Sequence, residues 1–267
     1  MKMMLKSFVT VFITLLLLIA CATTPLGRKQ LAFMSAEQMD TMGTEAFGQI
    51  KQETPVEKSP SVNRYVNCIT EHIIAANSTQ QQQWEVVVFQ DDAVNAFALP
   101  GGKIGVYTGL LKVADNQNQL AAVIGHEIAH VLSNHSNERV SQETATQLVL
   151  QLGQIVIDTK TQMGQGIMAA LGLGAQYGVL LPYSRKHESE ADHLGLQLMA
   201  NAGFEPRESV ALWQNMSRAG SGEQPPEFAS THPSHERRIQ DLNNLMNQTL
   251  PLKQQARQQG RNPQCRL

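Results

Sequence analysis

The chain has 267 residues, of which 42% are apolar, and carries 19 glycines. That length suits one large domain or two small ones, and the composition supplies a core and excludes wholesale disorder. Charge is sparse at 16%, and 21 basic against 23 acidic residues give a net −2, which argues against a nucleic-acid partner. Three cysteines are too few for a disulfide-built miniprotein, whereas seven of the eight histidines fall between positions 126 and 235.

Lys2 and Lys6 precede an uncharged apolar run of 13 residues, 8–20. This fits the hydrophobic segment of a secretory signal and is shorter than the ~18 residues a membrane span needs. The run ends Leu18-Ile19-Ala20-Cys21, which resembles the lipobox of bacterial lipoproteins, whose cysteine is acylated and becomes the new N-terminus. The plainer alternatives are an ordinary cleaved signal and an uncleaved anchor. Residues 1–20 are therefore read as a lipoprotein signal peptide and 21–34 as a lipidated tether. Ala22, rather than Asp, after the cysteine points by the usual sorting rule to the outer membrane of a Gram-negative cell, facing the periplasm. With Cys21 acylated, Cys68 and Cys265 remain in an oxidising compartment and are expected to pair; two buried free thiols are the alternative.

Residues 35–250 read as one folded domain and 251–267 as a C-terminal tail. Ser35-Ala36-Glu37-Gln38 is a capping-box pattern opening a helix to about residue 52. Val62, Tyr65, Val66, Ile69 and Ile73 mark one face of a helix over 61–76. Residues 84–89, 93–99 and 102–107 are three candidate strands of a small sheet. Asn116 or Asn118 can cap a long helix running to about 140, followed by an amphipathic helix over 143–157. Residues 163–181 are apolar, uncharged and glycine-dotted. A membrane segment is one reading, but Gln165, Gln176 and the glycines favour a buried or groove-lining helix. Helices are expected over 184–202, stopped by Gly203, from about Pro206 to 216, and over 236–248.

The pentad His126-Glu127-Ile128-Ala129-His130 is the most informative string. On a helix its two histidines sit one turn apart on one face, where both imidazoles can meet one Zn²⁺. Glu127 is rotated off that face, placed to act as general base toward an activated water. Apolar neighbours make a solvent-facing helix an unsatisfactory reading, since buried imidazoles need partners. A catalytic zinc takes three protein ligands and keeps one position open. Ser133 and Ser136 stand where a metzincin has its glycine and third histidine, and His135 falls off the ligand face. The best third ligand is Glu188, with Asp192 one turn on to accept the free ring N–H of a ligating histidine. Glu190, His187 and His193 read as surface or salt-bridged residues.

Five ordered motifs support a resemblance over residues 35–245. They are Asn95-Ala96-Phe97-Ala98-Leu99-Pro100-Gly101-Gly102, Val106-Tyr107-Thr108-Gly109-Leu110-Leu111, the pentad, Ser184-Arg185-x-x-Glu188-x-x-x-Asp192, and Thr231-His232-Pro233. Together they resemble the HtpX and CAAX-prenyl-protease family of zinc metalloendopeptidases (metallopeptidase family forty-eight), nearest its periplasmic, lipid-anchored, LoiP-like branch and the mitochondrial inner-membrane relatives. The resemblance implies a mainly helical α+β fold of gluzincin type, with a small β-sheet beside the active-site helix. It implies one Zn²⁺ per chain held by His126, His130 and Glu188, with Glu127 as base and Asp192 as supporting carboxylate. His232 matches the histidine of the family's H-P-x-x-x-x-R segment, and Arg238 its arginine; there His232 would hydrogen-bond the oxyanion and could occupy the open metal position at rest. His235 is expected at the surface at a helix start. Gly102, Lys103, Ile104, Gly105, Val106 and Tyr107 would form the edge strand that pairs with substrate backbone. The function expected is a zinc metalloendopeptidase that cleaves misfolded or unassembled envelope proteins, attached to the membrane through its N-terminal lipid. The rivals are a lipid-anchored chaperone or assembly factor with a structural zinc, and a zinc hydrolase of a non-peptide envelope bond.

Overall fold

The computed structural model describes residues 21–77, 83–157, 160–175, 181–219 and 236–267. Its first elements are β1 (Cys21–Thr23), β2 (Lys29–Leu31), α1 (Ala36–Glu53), α2 (Pro60–Ala76), β3 (Glu85–Phe89), β4 (Ala96–Leu99) and β5 (Lys103–Tyr107). Then come α3 (Thr108–Leu111), α4 (Gln117–Leu132), α5 (His135–Val156), α6 (Gln162–Ala175), α7 (Leu181–Asn201), α8 (Glu208–Ala219) and α9 (Glu236–Gln258). The fold is thus mainly helical α+β, as expected. The described residues divide into two compact units, one drawn from the range Met1–Ala36 with Asn134–Ser184, the other from Glu37–Ser133 with Arg185–Leu267.

In the first unit, residues 21–34 are not a loose tether. β1 and β2 pair antiparallel, Cys21 opposite Leu31, with Gly27 in a positive-φ turn. The hairpin is fastened to the start of α5. Arg28 donates bidentately to Glu138 at 2.8 and 2.6 Å, and Glu138 is only 1% exposed. Phe33 N–H donates to Ser141 Oγ at 2.8 Å, and Asn137 Nδ2 donates to Met34 O at 2.8 Å. The expected long helix from 116 to 140 is two helices. Asn134 takes φ 55° and ψ 30°, a left-handed conformation that breaks the hydrogen-bond run; Asn adopts it more readily than most residues. α6 departs further from expectation, because Met163, Ile167 and Leu171 are exposed rather than buried.

In the second unit, α2 buries Tyr65, Val66, Ile69 and Ile73, the face its periodicity marks. These residues share one core with Val88 of β3, Ile104 and Val106 of β5, and Leu120, Ile124 and Ile128 of α4. The sheet order is β3-β5-β4, with β5 parallel to β3 and antiparallel to β4. The segment 102–107 is therefore the centre of the sheet, its ladder groups engaged on both sides, and cannot serve as an edge. β3 is covered on its far side, where Glu57 N–H donates to Val88 O at 2.8 Å and Gln90 N–H to Pro55 O at 2.7 Å. β4 is the strand with no strand partner beyond it among the described residues, and it packs beside α4.

The C-terminal residues are not a tail either. α9 continues through Pro251 to Gln258. Beyond it, Arg261 Nη1 donates to Asn201 O at 2.7 Å, Gln117 Nε2 to Pro263 O at 3.0 Å, and Cys265 N–H to Gln117 Oε1 at 2.8 Å. The segment straps the end of α7 to the start of α4. It is locked by a disulfide between Cys68 on α2 and Cys265, with Cα atoms 5.8 Å apart and a sequence separation of 197. A crosslink over so long a loop removes much denatured-state freedom. The double variant Cys68→Ser, Cys265→Ser is expected to lose about 2–5 kcal/mol of stability, read as a lower urea midpoint than wild type measured without reductant.

Candidate active site

The site is built on α4. Asn116 caps it, its Oδ1 accepting from Asn118 N–H at 2.9 Å and Gln119 N–H at 3.2 Å. Leu120, Ala121, Ile124, Ile128 and Ala129 are fully buried, so the helix is held on most sides and its histidines face inward. His126 and His130, one turn apart, bring their rings to 4.7 Å between centroids and their Nε2 atoms to 3.0 Å. From α7, Glu188 reaches the same point: Oε2 lies 3.3 Å from His126 Nε2 and Oε1 lies 3.4 Å from His130 Nε2.

Those spacings test whether a metal fits. Donors about 2.0–2.2 Å from a tetrahedral ion lie roughly 3.3–3.6 Å from one another. The two imidazole nitrogens, 3.0 Å apart, and the Glu188 carboxylate, with one oxygen 3.3 Å from His126 and the other 3.4 Å from His130, come within a few tenths of an ångström of that range. Two imidazole nitrogens and a carboxylate are also a donor set suited to a divalent ion such as zinc.

The residues behind the donors hold them in place. Asp192 Oδ1 lies 3.0 Å from His126 Nδ1, which fixes the ring so that Nε2 points at Glu188. Arg238 of α9 braces both carboxylates: Nη2 donates to Asp192 Oδ1 at 2.5 Å and Nη1 to Glu188 Oε2 at 3.3 Å. Its guanidinium stacks on Trp213 of α8, with Cζ 3.9 Å from the ring centroid. Burial by itself pushes the His126 pKa down; its hydrogen bonds to Asp192 and Glu188 outweigh that and bring it up to about 9. Burial likewise pushes Asp192 up, and Arg238 with His126 more than reverse that, holding its carboxyl below the usual range.

Two glycines let these helices meet. A Cβ on Gly195 would fall 2.8 Å from His126 N and 2.9 Å from its Cα; one on Gly125 would fall 2.9 Å from Gly195 O. Glu188, Asp192 and Gly195 form one stripe of α7, so the contact at Gly195 brings the carboxylates within reach of α4. Sequence reasoning missed Gly125, Gly195 and Trp213. The signal for the glycines was available, since each sits inside a helix at a cost of ~1 kcal/mol relative to Ala and beside a site residue.

Of the other residues singled out, Glu127 is 2% exposed on α4 next to the donors. His187 and Glu190 are buried, not surface residues, because α7 packs on more than one face. His193 is half-buried, its Nε2 3.2 Å from Gln197 Nε2. His135 belongs to the other unit. His232 and His235 lie outside the described residues.

A family model described as peptidase family M48 matches residues 60–246, a stretch that contains the pentad, Glu188, Asp192 and Arg238. The chain therefore belongs to peptidase family M48. It is similar to the mitochondrial metalloendopeptidase OMA1 of Schizosaccharomyces pombe, 34% identical over 220 residues that cover 81% of this chain and 63% of that protein. It is also similar to the beta-barrel assembly-enhancing protease of Escherichia coli, 28% identical over 224 residues, 82% of this chain and 46% of the relative. Human mitochondrial OMA1 is 33% identical over 250 residues, 85% of this chain and 46% of the relative. The chain thus spans about half to two-thirds of the length of these curated relatives.

Asp192→Asn is expected to weaken divalent-metal affinity about 10–100-fold, measured by competition with a chromophoric chelator. Gly195→Ala is expected to lower both metal affinity and the thermal midpoint, because the new methyl group must push α7 off α4 at a cost of about 1–3 kcal/mol.

Proposed function

We propose that this chain is a zinc-dependent metalloendopeptidase, lipid-anchored through Cys21 to the periplasmic face of the outer membrane, that cleaves misfolded or unassembled envelope proteins. The observation that carries the catalytic reading is the convergence of His126, His130 and Glu188 at distances that suit one metal ion, with Glu127 buried on the same helix as the two histidines. Zinc, when bound there, supplies a Lewis acid that polarises the scissile carbonyl and acidifies water. Glu127 takes the proton of the attacking water and delivers it to the leaving amine. Asp192 and Arg238 keep the His126 ring and the Glu188 carboxylate oriented throughout. His232 is the candidate donor to the oxyanion, on the resemblance of its segment to the family's.

The substrate strand is assigned to β4 rather than to 102–107. Tyr107 N–H donates to Asn95 O at 3.0 Å, and the alternation of an antiparallel ladder then turns the main-chain groups of Ala96 and Ala98 away from β5. An extended peptide can pair there through its backbone, with little demand on its sequence. The Escherichia coli relative is named for β-barrel assembly, which supports envelope proteins as the substrate class. The Leu18-Ile19-Ala20-Cys21 string supports the anchor.

Glu127→Gln is expected to retain one zinc ion per chain by elemental analysis while cleavage of denatured envelope proteins falls at least ~100-fold. Full chelator-sensitive activity in that variant would remove Glu127 from the mechanism. A wild-type protein that binds unfolded chains, holds zinc in a closed four-ligand site and yields no new peptide termini by mass spectrometry would favour a chaperone instead.

A further inference from the structure

The first unit has a surface that the proteolytic site leaves unexplained. Residues 144–175, 32 in all, carry two charges, Asp158 and Lys160. A water-facing surface of that length has roughly a quarter to a third charged residues. α5 and α6 pack on each other where Gly153 meets Met168, a Cβ there lying 3.4 Å from Met168 Sδ. Apolar side chains nevertheless remain in the open: Leu148, Val149, Leu152 and Ile155 on α5, Met163 and Ile167 on α6, with Ile155 81% and Met163 77% exposed. Apolar side chains this exposed, in a stretch so poor in charge, mark a docking face.

What covers it follows from the other half of the same unit. The β1–β2 hairpin begins at Cys21, directly after the apolar run 8–20, and is clamped to the start of α5 by Arg28–Glu138, Phe33–Ser141 and Met34–Asn137. The anchoring residue and the apolar hairpin are thus parts of one compact body. We propose that the apolar face of the α5–α6 hairpin lies in the interface of a lipid bilayer, the same bilayer that holds Cys21. The proposal rests on the acylation of Cys21 in the reading above for the identity of the membrane, and on exposure and charge for the face itself. The hairpin lies on the bilayer and does not cross it. α6, with 14 residues, is about 21 Å long against a hydrocarbon core of about 30 Å, and no helix among the described residues is long and apolar enough to span. An uncharged, apolar hairpin binds by burying that surface, so its attachment is insensitive to salt, unlike that of a basic amphipathic helix.

The test uses the full chain carrying Ile155→Cys or, separately, Leu152→Cys, each labelled with an environment-sensitive fluorophore and mixed with phosphatidylethanolamine–phosphatidylglycerol vesicles containing brominated lipid. Glu71→Cys on α2 serves as the control. Emission from positions 155 and 152 is expected to shift to the blue and to be quenched at least about twofold by the brominated lipid, unchanged in high salt, while position 71 is unaffected. Quenching at 155 and 152 no greater than at 71 overturns the proposal. So does a blue shift that needs no vesicles and instead follows protein concentration or added unfolded casein, which would assign the face to a second copy or to substrate. Intact mass of the membrane-extracted protein reads acylation separately. An acylated chain with unquenched labels sinks the hairpin alone, and a quenched chain without acyl groups sinks the anchor alone.

Discussion

The geometry of the site depends on one steric fact, the approach of α7 to α4 at Gly195 and Gly125. Backbone atoms there come close enough that neither position has room for a methyl group. The consequence is chemical as well as structural. Glu188 and Asp192 stand seven and three residues before Gly195 on the same face, so the contact that excludes a side chain at 195 presents two carboxylates to His126 and His130. Helices kept apart by ordinary side chains would leave a carboxylate of this length short of the imidazoles, and the three donors would not meet.

That approach collects charge in a place with little water, and the surrounding residues compensate for it. Asp192 accepts from both His126 and Arg238, and Arg238 in turn rests on Trp213, so one guanidinium links α7, α8 and α9 behind the site. A buried carboxylate without such partners would cost several kcal/mol and tend to protonate. Here the arrangement keeps Asp192 ionised and the His126 ring fixed, with Nε2 turned toward His130 and Glu188. The same logic explains why Arg238 acts as a brace: its Nη atoms are committed to Asp192 and Glu188, not available to a substrate oxyanion.

The elements themselves were largely legible. α1, α2, the three strands of the sheet and the body of α7 fall where periodicity and turn residues put them, because these signals are local. The errors fall where a local signal was overridden or silent. A break at Asn134 needs only one residue to change conformation, which no hydrophobic period reports. The last helix, expected over 236–248, runs on through Pro251 to Gln258, and the segment beyond it is held by strap contacts and a disulfide that no local pattern reports. The solvent exposure of α6 was misread because an uncharged apolar helix looks the same in sequence whether it is covered by protein or by something else.

By itself the sequence determined the donor types and their local spacing. His126, Glu127 and His130 are fixed relative to one another by the pitch of a single helix, as are Glu188 and Asp192 by that of another. Only the tertiary structure decided that these two stretches converge, that Arg238 and Trp213 close the site from behind, and that β4 rather than β5 ends the sheet among the described residues. Each of those results is a pairing between residues far apart in the chain, set by close packing and by the order in which strands join a sheet, and helical or strand periodicity carries no record of either.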